Sequence, residues 1–127
     1  MSPLLFAAVA LAGGVGATLR LVVDGAVRAR LRTSLPVGTM LINVVGSLLL
    51  GLVTGLALTL WLPEEWHLVL GGGLLGGFTT FSTASYETVL LARDRRSLAA
   101  LVNGLGMLLL AVAASFAGLW LGLGAVR

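Results

Sequence analysis

The sequence predicts an all-α membrane protein of four transmembrane helices, the third of them broken near mid-membrane. Three observations carry that prediction: 58% of the 127 residues are hydrophobic, only 10% are charged, and the apolar residues fall into four long runs. Soluble domains carry about a quarter charged residues. The eighteen glycines lie inside the apolar runs, so they do not mark a disordered linker. Cysteine is absent, which excludes disulfides, thiolate metal sites and cysteine nucleophiles.

Each run meets the length of roughly 20 apolar residues that a helical span needs. The first extends from about Pro3 to Val23. Its start imitates a secretory signal, but no positive residue leads it and Arg20 follows with further spans beyond, so it reads as a retained helix. The second begins near Pro36, a residue suited to a helix N-terminus, and runs to Trp61. The third covers about Trp66 to Leu91 and the fourth about Leu98 to Leu123. The connectors between them are short, which predicts one membrane domain over 1–127 and no soluble one. Trp61, Trp66 and Trp120 fall near span ends, where indoles anchor in the headgroup region.

Loop charge predicts the orientation. Arg28, Arg30, Arg32, Arg93, Arg95 and Arg96 gather on one side with Asp24 and Asp94, whereas Glu64, Glu65, His67 and Arg127 lie on the other. The positive-inside rule puts the arginine side in the cytoplasm and both termini outside a plasma membrane crossed several times. This placement accounts for the basic balance without nucleic acid.

Polar residues inside spans are costly in hydrocarbon and call for partners or a pore. On the second span Thr39, Asn43, Ser47, Gly51 and Gly55 recur every four residues, along one helical face. Ser47, Gly51 and Gly55 read as a packing stripe. Thr39 and Asn43 serve either packing or an anion. The third span carries Gly71 to Tyr86, GGGLLGGFTTFSTASY, poor material for a continuous helix. A broken helix at membrane depth needs protein or a water cavity around it, and frees carbonyls for cations and N–H groups for anions.

Enzymatic chemistry has no material here. His67 reads as a solvated interfacial residue in a short loop, and Glu87 as a solitary carboxylate near a span end. Arg20, close enough to the cytoplasmic end to snorkel, is either an anchor or an anion attractor. The residues alone support a pore or transporter for a small solute.

The stretches GGVGATLR (13–20), PVGTMLINVVGS (36–47) and GGFTTFSTASYE (76–87) resemble, in order and spacing, the signature segments of the CrcB/Fluc fluoride channels. The resemblance covers essentially the whole chain. It implies an antiparallel dimer with two narrow pores along the subunit interface, passive export of toxic fluoride, and a structural sodium ion at the centre. Position by position, it implies that the main-chain carbonyls of Gly76 and Thr79 hold the sodium. Thr39, Asn43, Phe81, Ser82, Thr83 and Asn103 match pore-lining positions, and Arg20 matches a vestibule arginine. The positive ring edge of Phe81 would meet the passing anion.

Two departures qualify the resemblance. The second phenylalanine of the family's pair falls on Ala84, and the polar ladder of the fourth helix reads Asn103, Met107, Ala111. With the one-sided loop charge, they predict a fixed-orientation subunit paired with an oppositely oriented homologue, homodimerisation being the alternative. A non-conducting structural subunit is a rival reading. A small proton-coupled multidrug exporter is another, against which stands the missing first-span carboxylate.

Overall fold

The computed structural model describes residues 1–125; Arg127, counted above on the acidic side, lies outside the described residues. No strand occurs among them. The first helix, α1 (Pro3–Arg30), starts where the Ser2 hydroxyl accepts from the Leu5 N–H at 3.2 Å and Pro3 occupies the first turn. It runs past Val23, so Arg28 and Arg30 lie in its last turn, where the helix dipole favours cations. Helix α2 (Val37–Leu58) has 22 residues and is about 33 Å long, enough to cross a hydrocarbon core of about 30 Å.

The third predicted span is two rods. A first rod, α3 (64–78), joins an α-turn Glu64–His67, a π-helical stretch Leu68–Leu75 and a final turn Gly76–Phe78. Thr79 and Thr80 are extended, and α4 (Phe81–Arg93) follows. At about 22 Å and about 20 Å, neither rod crosses a bilayer alone. The last helix, α5 (Ser97–Gly124), contains a π-helical segment at Val102–Gly106. Three helices, α1, α2 and α5, are therefore long and apolar enough to span a membrane. His67 sits inside α3 rather than in a solvated loop, with its Nε2 3.3 Å from the Thr54 hydroxyl.

Glycines bring the helices together in two pairs. Helix α2 packs most extensively on α5. A Cβ at Gly51 would overlap the Ser115 carbonyl oxygen, one at Gly118 would overlap that of Leu48, and one at Gly55 would lie 2.6 Å from that of Leu119. The stripe Gly51/Gly55 thus packs, as expected, while Ser47 beside it is half-buried. The second pair is α1 on α3, where Gly16 faces the Leu74 carbonyl and Gly77 faces the Gly13 carbonyl with no room for a side chain. Small residues allow such backbone contact where hydrophobic exclusion supplies no force between helices.

Both arginine-bearing connections lie at one end of the bundle, tied by the Arg96 guanidinium donating to the Ser34 carbonyl at 2.8 Å. The interior is polar for its size: the side chains under 2% exposed or close to it are Thr39, Ile42 and Asn103. Large apolar residues such as Leu4, Phe6, Leu98, Leu109 and Phe116 cover the outside.

Candidate functional site

The site is the interruption at Thr79–Thr80. The threonines break the helix, not the glycines before them, which all keep helical backbone. Thr80 is the N-cap of α4, its hydroxyl accepting from the Thr83 N–H at 3.2 Å. A β-branched residue with a hydroxyl suits that extended capping position. Thr79 ends α3, with its N–H and its hydroxyl both donating to the Leu75 carbonyl, at 2.9 and 3.0 Å.

Peptide groups freed by a break need partners, and here other helices supply them. Asn43 on α2 accepts from the Thr80 N–H at 2.8 Å and donates to the Thr80 carbonyl at 2.8 Å. One amide side chain thereby imitates a neighbouring strand. The second Asn43 N–H approaches the Met107 sulfur of α5 at 3.2 Å, a weak acceptor. Arg20 on α1 donates to the Thr79 carbonyl at 3.2 Å. Its charge sits at the C-terminal end of α3, where a helix dipole favours a cation. Gly46 makes the room: a Cβ there would overlap the Thr79 methyl. Hence α1 and α2 converge on two residues, and α5 backs them through the Met107 contact with Asn43.

These bonds bear on the carbonyls expected to hold sodium. In an unbroken helix the Thr80 N–H would return to the Gly76 carbonyl; here it goes to Asn43, leaving Gly76 without that donor. Main-chain oxygens are hard donors of the kind alkali and alkaline-earth cations take. The donor chemistry fits, although two oxygens from one chain form only part of a coordination shell. Thr79 retains one carbonyl lone pair beside the one Arg20 uses.

Beyond the break, Phe81 projects with 86% exposure and makes little contact with its own chain. Ser82 and Thr83 lie beside it, and the Thr80 hydroxyl is 3.3 Å from that of Ser82 and 3.1 Å from that of Thr83. Asn103 is fully buried behind this row. Its amide donates to the Thr88 hydroxyl at 2.9 Å and the Ala84 carbonyl at 3.4 Å, while its Oδ1 accepts from no protein group among the described residues. Both of its donors are therefore occupied.

Thr39 lies a turn from Asn43, 2% exposed, and donates to Glu87 Oε1 at 3.1 Å. Arg28 donates to the same oxygen at 3.0 Å and to Asp24 Oδ2 at 2.8 Å. Glu87 is therefore not solitary: two carboxylates flank one guanidinium and join α1, α2 and α4. Sequence reasoning missed this group because its members lie 48 and 59 residues apart. Intramembrane placement of an acid was the available signal. Arg20 likewise has a role neither expected reading contained, holding the end of a broken helix. Replacing Arg20 by glutamine is expected to cost about 1.5–3 kcal/mol, the value of a hydrogen bond to a charged group, read as a lower melting temperature in detergent. An unchanged melting temperature would mean the Thr79 carbonyl does not depend on it.

Three helices of spanning length, and two shorter ones meeting at a polar break held by their neighbours, define a multi-pass helical membrane protein. The chain belongs to the CrcB family: residues 7–123 match the family described as CrcB-like protein, Camphor Resistance (CrcB). It is 58% identical over 122 residues to a "Fluoride-specific ion channel FluC 1" of Leifsonia xyli subsp. xyli, covering 96% of this chain and 89% of that one. It is 42% identical over 113 residues to a "Fluoride-specific ion channel FluC 2" of Mycobacterium tuberculosis, covering 89% and 86%. A "Fluoride-specific ion channel FluC" of Methylobacterium nodulans is 46% identical over 115 residues, covering 90% and 89%.

Proposed function

We propose that the chain is a subunit of a fluoride-specific channel that lets toxic fluoride leave the cytoplasm passively. The supporting relatives are near full-length and carry that activity in their names. The observation that carries the reading is the stapled break: Asn43, Arg20 and Thr80 form a rigid, donor-bearing centre with Phe81 exposed directly after it. A small, strongly hydrated anion needs donors to replace its water, and the N–H that Asn43 spends on a weak thioether acceptor is the one most cheaply redirected.

In this reading α3 and α4 together make the third of four spans in a plasma membrane, with both termini outside. The exposed Phe81 and Ser82 and the half-buried Thr83 line pores at the interface of an antiparallel dimer, with Thr39, Asn43 and the buried Asn103 behind them on the pore side. With Nη1 on the Thr79 carbonyl, Arg20 has Nη2 and Nε left to face a vestibule. Gly76 and Thr79 carbonyls hold a structural sodium, whose charge would tie the two breaks of a dimer together; the donor freed from Gly76 supports this. The inverted partner is a homologue of opposite loop charge, which supplies the phenylalanine missing at Ala84. Six arginines at one end, Arg28, Arg30, Arg32, Arg93, Arg95 and Arg96, support a single orientation.

A second reading, a non-conducting structural subunit, is favoured by one contact: Met107 occupies the Asn43 donor with a thioether where the resemblance leads one to expect a polar group. The test is fluoride efflux from liposomes, measured with a fluoride electrode, for the chain alone and with an opposite-charge homologue. Efflux only from the mixture is expected, and it should fall with Phe81→Ile. Fast efflux from the chain alone would remove the heterodimer. Efflux from the mixture that ignores Phe81→Ile and Asn43→Asp would assign the pore to the partner.

A further inference from the structure

Five arginines at the basic end, Arg30, Arg32, Arg93, Arg95 and Arg96, take no ion-pair partner among the described residues: Arg28 engages Asp24 and Glu87, and Asp94, between Arg93 and Arg95, forms no ion pair with any of them. Two of them border a cleft of about 610 Å³ between the α1–α2 connection and the start of α5. Ser34 and Leu35 form one wall; Arg95, Arg96, Ser97 and Leu98 form the other. The floor is rigid. Arg96 is tied to the Ser34 carbonyl at 2.8 Å, and the turn before it is closed by the Arg96 N–H on the Leu91 carbonyl at 3.0 Å. Arg95 occupies the left-handed turn position at φ 58°, and its side chain makes no hydrogen bond among the described residues.

Below the arginines the cleft becomes apolar. Leu98 and Val102 line it, and Leu105 and Leu109 continue their line along α5, spaced so as to share one helical face. These four are 75%, 39%, 50% and 61% exposed. A cationic mouth above an apolar rail, at the end of a span, has the polarity profile of a phospholipid rather than of a soluble anion or a protein segment.

We propose that this cleft is a binding site for an anionic phospholipid. Arg95 and the free nitrogens of Arg96 hold the headgroup phosphate, Ser97 and Ser34 face the glycerol region, and an acyl chain lies along Leu98, Val102, Leu105 and Leu109. Basic pockets at the cytoplasmic ends of spans take anionic headgroups on these grounds. The site rests on the reading that the chain spans a membrane, not on fluoride conduction. A lipid held there would brace the α1–α2 connection against α5, the two elements that Arg96 already links.

Purified channel in neutral detergent, tested with phosphatidylglycerol and with phosphatidylcholine, separates the possibilities. Phosphatidylglycerol is expected to remain bound in native mass spectra and to raise the melting temperature, and phosphatidylcholine to do neither. Arg95→Gln, which removes no internal bond, is expected to weaken the preference about fivefold. Arg30→Gln makes the same charge change outside the cleft and is expected to leave it intact. Equal binding of the two lipids, equal loss in both variants, or equal stabilisation by inorganic phosphate alone would overturn the site. Fluoride efflux from phosphatidylcholine liposomes holding this chain with an opposite-charge homologue, run in parallel, reports on the channel independently: no efflux with the lipid preference intact would strike only the channel reading.

Discussion

Asn43→Ala is expected to stop fluoride efflux and to lower stability by about 2–4 kcal/mol. The alanine leaves the Thr80 N–H and carbonyl, both half-enclosed by other helices, without the amide that now satisfies each at 2.8 Å. A buried polar group left unpaired costs about 1–3 kcal/mol. Asn43→Asp separates two contributions. A carboxylate still accepts from Thr80 N–H, but it cannot donate to the Thr80 carbonyl, to Met107 or to an anion. It is expected to melt between the wild type and the alanine variant, yet to conduct no fluoride. Liposome efflux and thermal melting of the same preparations check both; wild-type efflux from Asn43→Ala would remove the stapled break from the mechanism.

The other large effect is expected at the α2–α5 contact. Gly118→Leu or Gly51→Val places atoms inside the volume of a carbonyl oxygen on the facing helix, Leu48 in the first case and Ser115 in the second. Backbone cannot rotate aside as a side chain can, so the helices must separate along their main contact. Overpacking of this kind costs about 3 kcal/mol or more. Loss of a monodisperse peak on size-exclusion chromatography is the expected result. Gly14→Ala is the control: no atom lies within 4 Å of its added methyl, and the change is expected to add about 1 kcal/mol of helix propensity. If Gly118→Leu behaved like Gly14→Ala, the close approach of α2 and α5 would be wrong.

Much of the architecture was legible before any coordinates, because membrane spans are written in composition and length. The runs for α1, α2 and α5 gave helices at the expected places, and the Gly51/Gly55 stripe packs as small residues in spans do. The break was legible as a region, from glycines and hydroxyls crowded together, but its position was not. Within the Gly71–Tyr86 stretch the interruption falls at Thr79–Thr80, where Asn43 and Arg20 bond the extended backbone, while Gly77 is helical and packs against Gly13. Pairings such as Arg28 with Glu87 or Asn103 with Thr88 were beyond reach. They depend on how helices rotate about their axes, which no local pattern encodes. Arg28 was also misassigned to a loop, because a hydropathy run ends where lipid ends, not where the helix does.

The partners of the break also occur in an order that matters while the protein is being made. Thr79 and Thr80 carry peptide groups that hydrocarbon does not tolerate bare. Arg20 and Asn43, which satisfy them, precede them in the chain and so leave the ribosome first. The broken segment thus follows the two residues that receive it, and needs only Met107 and the last helix to close around it. Moving the first two helices behind the third, as a circular permutation would, leaves the finished contacts available but makes the break enter the lipid alone.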